Sequence, residues 1–206
     1  MVLCDLDIIN PYFRMADAAE ALSGAGVQVI TSRLTNTNVD APALPAEARA
    51  IFDDRDITGV IDLGGDDRGA LALGRYASLL RNGGGYEMLL VINQYRPLTR
   101  SLDDLREMKN EVETASKVSF TGMVNNSNLA AETTLDDVIA TADFATGVAA
   151  ELALPLKMTA LDRRLVQNET AARKASEVFG EVFPFDLYQK QNWKPQTNGK
   201  GEMCRK

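Results

Sequence analysis

Short apolar, β-branched runs recur along the chain: "VLC" at 2–4, "VQVI" at 27–30, "TGVIDL" at 58–63, "EMLLVIN" at 87–93, "VSFTGMV" at 118–124 and "LPLKM" at 154–158. Between them lie stretches with helical spacing. The clearest is 101–117, where Leu102, Leu105, Met108, Val112 and Ala115 recur every three or four residues. Ser101 opens it and Asp104 follows three residues later, a start that resembles a capping box; Thr134 and Asp137 repeat the signature ahead of Leu135, Val138 and Ile139. Strand and helix in alternation predict an α/β fold: a mostly parallel sheet with helices on both faces, joined by right-handed crossovers. The segment 175–189, "ASEVFGEVFPFDLYQ", reads as a closing amphipathic helix with an aromatic clasp, its Phe179, Phe183, Phe185 and Tyr188 directed to the core. No repeat or linker divides the chain, so 1–189 is expected to be one domain. From Lys190 the periodicity stops, and 190–206 is expected to be a polar, flexible tail.

In a parallel sheet of this kind, ligands bind at the carboxyl ends of the strands. Asp5 and Asp7 follow the first run; Asp62, Gly64, Gly65, Asp66 and Asp67 follow the third. Asn93 ends the fourth, and Asn125, Asn126 and Asn128 end the fifth. Carboxylates suit a hard cation such as Mg2+, which takes oxygen ligands and keeps several waters. An asparagine offers a donor and an acceptor that match the edge of an adenine ring, and paired glycines let a ligand approach the backbone. Each feature also has a plain role, as a turn residue, a helix cap or a polar loop. Their common position at strand ends favours a nucleotide site.

Composition narrows the function classes. The chain of 206 residues contains no histidine, which excludes a Ser-His-Asp triad and imidazole-bound zinc. Its formal net charge of −7 argues against broad nucleic-acid binding. No apolar run reaches the roughly 20 residues of a membrane span. The start, "MVLCDLD", is no signal peptide, and Cys4 and Cys204 form no paired framework, so a cytoplasmic location is expected.

Four stretches, "DLDIINPYFR", "VIDLGGDDRGA", "VINQYRP" and "TGMVNNSNL", carry in that order a resemblance to the MinD/ParA-type (CobQ/CobB/MinD/ParA) family of deviant P-loop ATPases. The resemblance runs from Val2 to roughly Trp193. It implies a P-loop NTPase fold of the SIMIBI type and an ATP- and Mg2+-binding domain that hydrolyses ATP slowly. It implies that Asp7 orients the attacking water and that Asp62 holds magnesium through water; Asp5, at the end of the first run, is a further candidate metal ligand by its position. Gly65, with Gly64 before it, would approach the γ-phosphate. Asn126 would read adenine, with Asn125 as the neighbouring alternative. A homodimer through the nucleotide face and an unidentified protein partner would follow.

The chain departs from that pattern in one place. Relatives carry a strand, a glycine-rich loop with lysine and Ser or Thr, and a helix ahead of the "DLD" strand. The closest spacing here, "GALALGRY" at 69–76, has Arg75 and Tyr76 in place of the lysine and hydroxyl and reads as helix packing, with Leu71, Leu73, Ala77 and Leu80 facing the core. The fold is therefore expected to lack its first strand and phosphate loop, as a truncated frame or gene fragment would. Nucleotide binding should then be weak or inactive, and the chain would be an ATP hydrolase only if the loop is supplied upstream. A gap or a strained direct pairing is expected between the Asp62 strand and the 87–93 strand. The alternative is a non-catalytic protein-interaction module that keeps the fold without ATP chemistry.

Overall fold

The computed structural model describes residues 1–6, 18–31, 46–54, 56–64, 67–83 and 85–187. The strands are β1 (Val2–Asp5), β2 (Gln28–Thr31), β3 (Gly59–Asp62), β4 (Leu89–Ile92), β5 (Gly122–Asn125), β6 (Leu156–Asp162) and β7 (Val182–Phe185). Every pairing among them is parallel. They form two sheets, β2-β1-β3 and β4-β5-β6-β7, and not the single sheet that the alternation predicts. The break falls between β3 and β4, the position at which the resemblance implied a missing strand. The architecture is α/β and compatible with a Rossmann-like or P-loop arrangement.

Helices hold the two sheets together. α1 (Ala19–Gly24) and α2 (Ala50–Asp53) belong to the first sheet, and α3 (Asp67–Gly74) and α4 (Ala77–Asn82) lead from β3 towards β4. α5 (Leu102–Ser116) follows β4 and packs along α3. A glycine permits this closeness: a Cβ at Gly74 would lie 2.5 Å from the Ala115 carbonyl oxygen. "GALALGRY" is thus helix as far as Gly74, with Arg75 and Tyr76 in the turn before α4, but Leu71 does not face the core. It is 52% exposed, because it lies about 200° round the helix from Leu73, which is buried. Gly74→Ala should therefore destabilise the fold by about 1–3 kcal/mol, the usual cost of overpacking against fixed backbone, although alanine is the better helix former. Urea unfolding checks this; a neutral or stabilised variant would show that the two helices can separate freely.

α5 begins where the sequence predicts. Ser101 Oγ accepts from the Asp104 backbone N–H at 3.2 Å, and Lys117 ends the helix in the left-handed region with φ of 57°. Its Leu105 joins Leu90, Ile92, Met123, Ala145, Val148 and Leu154 in the core of the second sheet. Val2, Cys4, Leu6, Ile30 and Ala48 form the core of the first, with Ile51, Phe52, Ile61 and Tyr76 packed against it. Thr134 and Asp137 make the predicted capping box at α6 (Leu135–Ile139), and α7 (Ala142–Glu151) follows.

The segment 175–189 differs from its reading as one helix with a clasp. α8 (Glu169–Phe179) stops at Gly180, and the β-branched and aromatic run after it forms β7. Phe179 packs against the core of Val138, Leu161 and Ala175, whereas Phe183 is 55% exposed, because strand alternation turns it outward. Tyr188 and the tail 190–206 lie outside the described residues. No helix among the described residues is long and apolar enough to cross a membrane.

Candidate functional site

Asp5 and Asp62 are register partners at the last positions of β1 and β3. Partners in adjacent parallel strands project to one face, so two carboxylates stand side by side at the carboxyl edge of the first sheet. The ladder continues past them: the Leu6 N–H donates to the Asp62 carbonyl at 2.8 Å. Asp5 is buried and Asp62 exposed, so the pair spans the boundary between protein and solvent. Gly64 is buried just beyond. A Cβ at Gly69 would lie 3.0 Å from the Leu6 carbonyl oxygen and 3.4 Å from the Gly64 nitrogen. The first turn of α3 is therefore pressed against the ends of both strands. Asp7 and Gly65 lie outside the described residues.

Cys4 precedes Asp5 and is fully buried. Burial, and then the neighbouring Asp5 charge, push its thiol up to about 11. A thiol so far above its ordinary value is a poor nucleophile near neutrality, so Cys4 is a packing residue. The shift also sets a sign for stability. The unfolded thiol ionises near its ordinary value of 9.0 and the folded one near 11. The unfolded state then loses its proton first, and stability falls as pH rises between these values. Cys4→Ala should lessen this alkaline loss relative to the parent in denaturation series from pH 8 to 11. An unchanged slope would mean that the thiol does not contribute.

The ends of β4 and β5 form a separate polar cluster. Asn125 is fully buried. Its Nδ2 donates to Thr141 Oγ1 at 3.0 Å, and its Oδ1 accepts from the backbone N–H and the hydroxyl of Ser127 at 3.1 and 2.7 Å. Asn125 is thus withdrawn as an adenine reader: with no exposed surface it ties β5 to the loop after it and to Thr141. Asn126 is half-buried; its backbone N–H donates to the Ile92 carbonyl at 2.8 Å, and its Oδ1 accepts from Asn128 at 3.4 Å. Its Nδ2 has no hydrogen-bond acceptor among the described residues, so Asn126 can still serve a ligand. Asn93 joins the two strand ends, with Nδ2 donating to the Asn128 carbonyl at 3.1 Å and Oδ1 accepting from the Tyr95 and Asn128 N–H groups at 3.0 and 3.2 Å. Tyr95 in turn donates its hydroxyl to the Asp137 carbonyl at 2.7 Å, fixing the loop after β4 to α6. Ser127, Thr141 and the buried Thr159 opposite Asn125 were not singled out by the sequence. Hydroxyls in apolar surroundings give no periodic signal.

The paired carboxylates fit magnesium only in part. Mg2+ requires six oxygens and retains waters alongside one or two carboxylates and phosphate oxygens. Among the described residues no group of three or more His, Cys, Asp or Glu could hold a metal unaided. Asp5 and Asp62 could orient a hydrated ion that also carries phosphate; they are not a self-sufficient cage. Compared with known proteins, the chain matches no family model, no curated protein and no solved structure.

Proposed function

We propose that the chain forms an ATP-binding and ATP-hydrolysing domain of the MinD/ParA type, incomplete in its phosphate-binding part. The observation that carries this reading is the in-register pair Asp5 and Asp62 at the carboxyl ends of parallel strands beside a break in the sheet. In this reading Asp62 holds magnesium through water with Asp5 beside it, and Asp7 orients the attacking water. Gly64 and Gly65 approach the γ-phosphate, and Asn126 reads the base. A dimer across the nucleotide face would couple turnover to a protein partner.

The 206 residues contain no "GxxxxGK[ST]" stretch. Such a loop supplies backbone N–H groups and a lysine to neutralise the phosphates, and carboxylates alone repel them. The chain by itself should therefore bind Mg·ATP more weakly than about 1 mM, which corresponds to only about 4 kcal/mol of binding energy. Isothermal titration tests this, and micromolar affinity would overturn the claim that the phosphate-binding part is incomplete. The missing lysine loop also favours a second reading, a protein-interaction module without ATP chemistry. That reading gains if a chain completed with such a loop folds and still ignores ATP.

A further inference from the structure

We propose that Thr159, Asn125 and Thr141 enclose a binding site for one water molecule, which joins β6 to the loop that leaves β5. Thr159 lies inside β6 and is fully buried. Its Oγ1 makes no hydrogen bond within the protein, the one buried side-chain oxygen or nitrogen of which this is true among the described residues. Other threonine hydroxyls find a carbonyl. Thr114 turns back on the Asn110 carbonyl one helical turn before it, at 2.6 Å, and Thr121, ahead of β5, reaches across to Met88 at 3.3 Å. Thr159 has neither route. β6 is flanked by β5 and β7, so the carbonyls beside Thr159 lie in the plane of the sheet while its side chain stands off the face. The Glu181 carbonyl, for example, accepts from the Thr159 N–H at 3.0 Å.

The neighbours supply what a water needs. Thr159 is the register partner of Asn125, so both side chains leave the sheet on one face. The orientation of the Asn125 amide is fixed, because the Ser127 backbone N–H can only donate and therefore meets Oδ1, at 3.1 Å. Oδ1 also accepts from the Ser127 hydroxyl, which fills both of its lone pairs. Nδ2 carries two hydrogens and directs one to Thr141 Oγ1. The other has no acceptor among the described residues. Thr141 Oγ1 donates to the Val138 carbonyl and keeps one lone pair. A water can accept from Thr159 Oγ1 and from the second Nδ2 hydrogen, and donate to that lone pair. About three hydrogen bonds is the usual number for a buried water.

The donor set excludes other occupants. A metal cation would face the Asn125 N–H, and an ammonium ion has no lone pair with which to accept from it. An anion would find no positive charge to balance its own. Asn125, Ser127, Thr141 and Thr159 are each at most 1% exposed, which closes the site to any ligand that keeps a part in solvent. Through Asn125 the water is linked to Ser127, whose hydroxyl also accepts from the Gln94 N–H at 3.0 Å. One buried chain of bonds thus runs from β6 to the loops after β5 and β4. Thr159 is a positioning residue for the strand ends that carry Asn93 and Asn126. This inference does not rest on the ATPase reading, since the water holds these loops whether or not a nucleotide binds.

The experiment compares the full chain with Thr159→Val, which keeps the volume and removes the hydroxyl, and with Thr159→Ser, which keeps the hydroxyl. A crystal structure of the parent should show one water within hydrogen-bond distance of Thr159 Oγ1, Asn125 Nδ2 and Thr141 Oγ1, and Thr159→Ser should retain it. The unfolding equilibrium constant of Thr159→Val in urea should rise about fivefold, the effect of one net hydrogen bond. Amide exchange at Ser127 should quicken more than at Cys4 in the first sheet. The direction of the stability change separates the alternatives, because removal of a hydroxyl that had no partner would stabilise the chain. A Thr159→Val chain as stable as the parent or more so would overturn the proposal. So would a parent crystal structure with no water at that position, or with Thr159 Oγ1 bonded directly to a protein carbonyl. Equal quickening at Ser127 and Cys4 would overturn the positioning role.

Discussion

A chain extended ahead of Met1 by an apolar strand and a glycine-rich loop bearing lysine should bind Mg·ATP at least about a thousandfold more tightly than the chain alone. The gain corresponds to roughly 4 kcal/mol. It is well within reach of a loop that adds several hydrogen bonds to charged phosphate oxygens, each contributing about 1.5–3 kcal/mol. The strand provides the framework and the loop the charge. In the extended chain Asp62→Ala should weaken the magnesium-dependent part of binding. Asp7→Ala should leave binding intact and reduce phosphate release by about a hundredfold or more, as loss of a water-positioning group typically does. Titration with and without Mg2+, together with a phosphate-release assay, separates these effects. An extended chain that folds and still shows no affinity would sink the nucleotide reading.

Much of the fold was legible because it rests on local rules. β1, β2, β3 and β4 lie within or one residue beyond their apolar runs, and α5 and α6 start at Ser101 and Thr134 because those side chains cap the helices themselves. What escaped depends on tertiary context. Leu71 has helical spacing but points outward, because it lies about 200° round the helix from Leu73, which is buried, while Gly74 meets α5. β7 was hidden because Phe179, Phe183 and Phe185 together also suit a helix, and only pairing with β6 selects the strand. In "VSFTGMV" the strand forms late, at Gly122, after Thr121 has bonded to Met88 through both its N–H and its hydroxyl.

The candidate site was legible by a different route. Strand-end placement identifies Asp5 and Asp62 without any knowledge of packing, and their common register follows once β1 and β3 are neighbours. The same rule does not separate Asn125 from Asn126, because adjacent residues of a strand end differ only in the face they meet. Asn125 shares the face of Ile92 and Met123, which leads inward, and it meets Thr141 and Ser127 there. Asn126 takes the next position, where the chain leaves the sheet.

That difference gives the two asparagines opposite expected phenotypes. Asn125→Ala should lower stability by about 2–4 kcal/mol, because the Ser127 N–H loses its acceptor inside the protein and a buried unsatisfied group costs about 1–3 kcal/mol before the lost side-chain volume is counted. Ser127 and Thr141 would be only partly relieved: the Ser127 hydroxyl still accepts from the Gln94 N–H, and the Thr141 hydroxyl still donates to Val138. Asn126→Ala removes one long contact to Asn128 and should change stability by less than about 1 kcal/mol, the scale of a single net hydrogen bond. In the extended chain it should instead weaken ATP binding about tenfold and narrow the preference for ATP over GTP, since a carboxamide placed for adenine leaves the other base unpaired. Urea denaturation of the chain and nucleotide titration of the extended form check the two separately. If Asn126→Ala unfolds the protein as readily as Asn125→Ala, its side chain is structural too, and the base-reading assignment falls with it.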